Sequence, residues 1–198
     1  MDAALRGAAA DLDKSGRPWA LIGGFAVSAR TSPRFTNDVD MAVMVEDDQQ
    51  AEAVVHSFLM AGYEHFSSIE HDNGRLATVR LRRCVDNAHV TVDLLFASSG
   101  IEREIAQQAE RLDIGVGLTL PVARIGHLIA LKLLARDDLT RPQDLADLRS
   151  LIAVATQADH DLARRSVELI EARGYNRDRD LRAALDDMSS LTGTAESD

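Results

Sequence analysis

The stretch "LIGGFAVSARTSPRFTNDVDMAVMV", Leu21 to Val45, decides the fold. An apolar run leads into Gly23-Gly24, and after thirteen further residues Asp38 and Asp40 open a second apolar run. Residues i and i+2 of a strand share a face, so Asp38 and Asp40 point the same way, with Ala42 and Met44 continuing that face. Val39, Met41, Val43 and Val45 line the other. Apolar side chains on both faces predict an interior strand, so Asp40 is not an ordinary solvated carboxylate. At the other end of the stretch, a strand, two glycines and a helix bring backbone N–H groups close to a phosphate at the positive end of a helix dipole. Ser28, Arg30, Thr31 and Arg34 lie between glycines and acids, as candidate further donors or charges.

Working outward, residues 2–15 read as a helix, with Leu5, Ala8, Ala9 and Leu12 at helical spacing. "WALIG" is a short strand, "FAVSARTS" a helix stopped before Pro33, and residues 47–62 a helix with acids in its first turn and a glycine at its end. Strands follow at 75–82 and 89–96. "GIEREIAQQAE" reads as helical and "VGLTLPV" as a last strand. From Ala123 only helices follow, at 123–136, about 142–156, 160–172 and 178–189. The expected organisation is a sheet core over 1–120, a helical lobe over 121–190, and a small, polar, acidic tail at 191–198 that frays.

Composition narrows the class. A chain of 198 residues suffices for one sizeable domain, and its single cysteine, Cys84, excludes an internal disulfide. The longest apolar helix candidate, "LIALKLLA", is short and carries Lys132, so no membrane span is expected. The start has neither a basic segment nor a signal-peptide core, and a cytoplasmic protein is the expectation. The net charge of −10 argues against a general nucleic-acid coat. It is uneven, however: −6 over 1–70, +1 over 71–141 and −5 over 142–198. A local basic strip belongs in the middle third. Lysine occurs only at positions 14 and 132, which makes Lys132 informative.

A third isolated acid, Asp93, sits inside "VTVDLLF". If its strand neighbours that of Asp40, three carboxylates converge. Two carboxylates about 4 Å apart repel by roughly 4 kcal/mol at an effective dielectric of about 20. A proton relieves this, and so does a hard cation; Mg²⁺ is held by a few carboxylates together with substrate phosphates. Each element has a bland reading, as a turn, an Asn-Asp corner or a buried structural acid. Their order and spacing carry the functional one.

That order resembles the nucleotidyltransferase superfamily of DNA polymerase β, with its glycine pair, D-x-D and later third acid. The resemblance implies an α+β fold with a mixed sheet flanked by helices. It also implies a metal triad of Asp38, Asp40 and Asp93, with one or two Mg²⁺ ions, and Gly23 and Gly24 holding the triphosphate of an NTP. The hydroxyl many members carry at the second position of the pair is absent here. "ARIGHLIALKLLARDDLTRPQDLADLRSL" is similar to the K…R…D-x-x-D-L segment of AbiEii-type nucleotidyltransferases, which include MenT toxins of toxin–antitoxin pairs. By that resemblance Lys132 and Asp144 or Asp147 complete the site. The i, i+3 spacing of the two acids leaves the choice open. Substrate-binding candidates are Gly23, Gly24, Arg34 and Ser28.

The family further implies tRNA as acceptor and a cognate antitoxin as partner. A small-molecule nucleotidyltransferase of antibiotic type and a non-catalytic binding module are the alternatives. Among the remaining residues, His127 is expected to pack or cap. Arg80 and Arg82 share a strand face that either tracks RNA or is merely solvated. Thr36 supports the turn before the acids, where a phosphate would inhibit.

Overall fold

The computed structural model describes residues 2–71, 74–85, 88–115, 117–137 and 142–193. In chain order the elements are α1 (Asp2–Asp13), β1 (Trp19–Ile22), α2 (Gly23–Arg30), β2 (Asp38–Val43), α3 (Asp48–Met60), β3 (Glu64–Glu70), β4 (Leu76–Val85), β5 (Ala88–Leu95), α4 (Glu102–Gln107), β6 (Glu110–Asp113), β7 (Thr119–Val122), α5 (Ile125–Ala135), α6 (Pro142–Val154), α7 (Gln157–Ala172) and α8 (Leu181–Gly193). One seven-stranded mixed sheet runs in the order β3-β4-β5-β2-β1-β7-β6. The neighbours β2/β5 and β1/β7 are parallel, and every other pair is antiparallel. This is the expected α+β mixed sheet.

The strand carrying the acids is interior. β1 and β5 pair with β2 on its two sides, and Val39, Met41, Ala42 and Val43 are buried. Both faces of such a strand must be apolar, which is why its run reads as continuous. Further out the sheet changes character. On β4 and β5, Val79, Leu81, Val90, Val92 and Leu94 are buried, whereas Thr78, Arg80, Arg82 and Thr91 keep partial exposure. That alternation is the pattern of a sheet covered on one side.

Helices set the rest. Asp47 caps α3, its side chain accepting from the Gln50 amide, and Thr156 and Asp159 form a reciprocal capping box at the start of α7. α5 is apolar nearly all round and lies among α6, α7 and α8, touching α2 as well. Gly126 permits this contact: a Cβ there would come within 2.5 Å of the Asp159 carbonyl oxygen. One hydrophobic core runs continuously from α1 through the sheet to α8.

Two strands escape the sequence reading. β3, "EHFSSIE", is exposed at every residue, and β6, "ERLD", is short and mostly exposed, so neither alternates between apolar and polar. The helix expected over 100–110 ends at Gln107, with Glu110 already in β6. α2 begins at the glycines and not after them. α8 continues to Gly193, into the expected tail, and residues 194–198 lie outside the described residues. No described helix is long and apolar enough to cross a membrane.

Candidate active site

The parallel register of β2 and β5 sets Asp40 beside Asp93 and Asp38 beside Thr91. The antiparallel register of β1 sets Ile22 beside Asp40, so the chain leaves β1 into Gly23 directly over the Asp40 carboxylate. Gly23 takes φ of +63°, and a Cβ there would lie 1.9 Å from Asp40 Oδ2. Gly24 is equally constrained, since a Cβ would lie 2.7 Å from Thr36 Oγ1 and 2.8 Å from Arg34 Nη2. Both glycines are thus required by contact, the first also by backbone conformation. No side chain caps the start of α2, which leaves its first amides available to an anion.

Charge at this row is unbalanced. Asp40 is pushed up to about 7, first by burial and then by Asp93 and Asp38; Lys132 and Arg80 pull it partly back. Asp93 is buried, and Arg80, its register partner on β4, grips it with a fork: Nε–Oδ1 at 2.8 Å and Nη2–Oδ2 at 2.6 Å. Asp93 in turn holds the Arg80 guanidinium above its usual range. Among the described residues no three acidic, histidine or cysteine side chains stand arranged around a common ion position. Asp38 and Asp40 are hard oxygen donors with surplus negative charge, which fits a divalent cation such as Mg²⁺. Both Asp93 oxygens already accept from Arg80.

The helical half contributes a second cluster. Lys132 Nζ lies 2.7 Å from Asp144 Oδ1 and 2.7 Å from Asp147 Oδ2. Arg34 pairs with Asp147 through Nε–Oδ1 at 2.6 Å and Nη2–Oδ2 at 2.7 Å. Burial alone would raise the Asp147 carboxyl, but hydrogen bonds from Arg34, Lys132 and Gln143 hold it below the usual range. Both acids of the i, i+3 pair are buried against the same lysine. Lys132 reaches Asp144 and Asp147 directly and acts on Asp40 through its charge, and so ties the two clusters together.

Other candidates are placed elsewhere. Ser28 Oγ accepts from the Arg34 amide at 3.2 Å, pinning the loop. Arg30 bonds Glu110 and the Ala123 and Val122 carbonyls, and Thr31 bonds back to Val27. His127 is buried on α5, its ring held down to about 4 by burial and then by Arg124, and it packs as expected. Arg80 is the residue whose role sequence reasoning missed: only the register of the β4–β5 hairpin reveals its partner. A cavity of about 390 Å³ opens elsewhere, past the C-terminal ends of β2 and β5, lined by Val45, Arg75, Phe96 and Tyr175 among others. The acid row lies on the sheet and not in that cavity.

Similar folds are found among solved nucleotidyltransferases. A solution structure of the antibiotic-resistance factor ANT(2'')-Ia matches with TM-score 0.53 at 19% identity, covering 93% of this chain and 94% of that one. A crystal structure of ANT(2'')-Ia in complex with adenylyl-2''-tobramycin matches with TM-score 0.56 at 16% identity, covering 85% and 95%. These likenesses show the fold. No curated protein matches the sequence. The family model described as nucleotidyl transferase AbiEii toxin, type IV toxin–antitoxin system, matches residues 5–195, nearly the whole chain. With its glycine turn over Asp40 and its paired strand acids, the chain belongs to the AbiEii family of nucleotidyltransferase toxins.

Proposed function

We propose that the protein transfers a nucleoside monophosphate from an NTP to the 3′ hydroxyl of an RNA, with tRNA as the acceptor, and that a cognate antitoxin restrains it in the cytoplasm. The observation that carries this is the register Ile22–Asp40–Asp93, which sets a glycine turn, two acids and a phosphate-ready helix start at one place. Asp38 and Asp40 would hold one or two Mg²⁺ ions. When bound, a hard cation neutralises the triphosphate and the crowded carboxylates.

The residues divide the remaining tasks. The Gly23-Gly24 amides and the α2 dipole receive the triphosphate, and Lys132 adds positive charge beside Asp40. Arg34 and Thr36 close over Gly24 and fix the loop. The acceptor oxygen attacks the α-phosphorus, the new P–O bond forms as the bond to the β-phosphate bridging oxygen breaks, and pyrophosphate leaves. Asp93 takes the hydroxyl proton, its oxygens oriented by the Arg80 fork. Thr36 stays a candidate modification point, since a phosphate there adds about two negative charges beside the acids; wild-type transfer by Thr36→Glu would end that idea.

A small hydroxylated acceptor is the second reading, favoured by the net charge of −10, which suits a cationic molecule better than RNA. Incubating the protein with Mg²⁺, each α-labelled NTP in turn and total tRNA separates the two. Label in tRNA that is absent with Asp40→Asn supports RNA transfer. NTP turnover only with a small hydroxylated acceptor supports the second reading.

A further inference from the structure

Outward from Asp93 the sheet offers an open face laid out in three cross-strand rows. Ser67, Arg80, Asp93 and Asp40 form the central row; Glu64, Arg82, Thr91 and Asp38 form one flank; Ile69, Thr78 and Leu95 form the other, which ends on the buried Ala42. Residues paired in register point to the same side of a sheet, so this face runs without a break from the acids to the outer edge. At strand spacings of about 4.8 Å it extends roughly 10 Å beyond Asp93. The outer end is exposed: Phe66 is 50% and Ile69 63% accessible.

Phe66 is the special residue. The register passes from His65↔Leu81 to Ser67↔Arg80, so Phe66 is the extra residue of a bulge, and bulges re-aim side chains. Its ring lies beneath the Arg82 guanidinium, 3.3 Å from carbon Cζ to the ring centroid. A planar cation over an exposed aromatic ring is a surface on which a nucleobase stacks while a phosphate finds positive charge. Resting on the RNA-acceptor reading above, we propose that this face of β3, β4 and β5 is the track for the single-stranded 3′ end of the acceptor. Phe66 and Arg82 form its stacking platform, and the terminal hydroxyl is delivered to Asp93.

The Arg82–Phe66 stack and the edge geometry favour RNA over a protein strand. On β4 this face presents Arg80, forked to Asp93, and Arg82, laid over Phe66, while Arg83 turns to the covered side toward Asp11 and Tyr63. The free edge of β3 is broken by two register irregularities and ends in Glu64 and Glu70, devices that discourage strand addition.

The test is binding of a short fluorescent single-stranded RNA with a free 3′ hydroxyl, followed by anisotropy over a range of salt, alongside KM for RNA and for NTP. Phe66→Ala should weaken RNA binding about ten-fold and raise the KM for RNA far more than that for NTP. Phe66→Tyr should restore both. Arg82→Gln should weaken binding and reduce the slope of log affinity against log salt by about 0.7. Melting temperatures, insensitive at so exposed a position, verify folding. If the variants bind RNA like the wild type, the track is overturned while RNA transfer stands. If they lose a co-purifying antitoxin instead, the face belongs to a protein and the proposal fails. If the wild type neither binds nor labels RNA, both this proposal and the acceptor reading fall.

Discussion

On β2 and β5, Asp38, Asp40 and Asp93 gather three negative charges against one arginine. On α5, α6 and the loop before β2, Asp144 and Asp147 meet Lys132 and Arg34. The two clusters touch at the glycine turn, yet they are built oppositely. In the helical cluster buried carboxylates are matched by cations at 2.6–2.7 Å, and Asp147 is held ionised. In the sheet cluster the balance is missing, and Asp40 is pushed up to about 7. A matched buried cluster fixes geometry, whereas a surplus of carboxylates anticipates an incoming cation. The first reads as the frame and the second as the working surface.

Substitutions can break this contrast. The largest effect is expected from Asp93→Asn, which should lower nucleotidyl transfer about 100- to 1,000-fold and leave the melting temperature nearly unchanged. Arg80 keeps 40% of its side chain exposed, so water can take over its solvation. Gly23→Ala should cost transfer about 100-fold, because the new Cβ displaces the Asp40 carboxylate and small misplacements are expensive in catalysis. Lys132→Met should act on both measures. It leaves two buried acids without their shared cation, a loss of about 3–5 kcal/mol, on the order of 10 °C in melting temperature. A Lys132→Met protein as stable as the wild type would remove the helical cluster from the frame.

Proton linkage sharpens the contrast further. His127 titrates at about 4 in the fold against 6.5 unfolded. Between those values the unfolded chain binds more protons, so stability is lost as pH falls from 6.5 through 4, by about 3 kcal/mol. His127→Leu should flatten that limb of the melting curve. Asp40 has the opposite sign. Its folded value of about 7 lies above 3.8, so the native state binds more protons and stability falls as pH rises through that window. Asp40→Asn should therefore raise the melting temperature of the metal-free protein by a few degrees at pH 8, a gain that fades towards pH 4.

What the sequence made legible follows from how each feature is encoded. β2 was readable because an interior strand needs apolar residues on both faces, so two acids stand out against it. The glycine pair was readable because both positions are sterically forced. β3 and β6 were not, because exposed edge strands need no alternation. The Arg80–Asp93 fork was hidden for another reason: it depends on hairpin register, and a one-residue slip would turn Arg80 to the other face. Asp144 and Asp147 could not be ranked because both pair with the same cation. Their spacing puts them on one helix face, and a single lysine reaches both.

The central claim is that the row Ile22–Asp40–Asp93 performs nucleotidyl rather than phosphoryl transfer. Supplying wild-type protein, Mg²⁺ and RNA with one NTP labelled at either the α- or the γ-phosphate tests it most directly. The account predicts α-label in the RNA and γ-label in released pyrophosphate. Label from the γ-phosphate in the acceptor, with nucleoside diphosphate left behind, would contradict it.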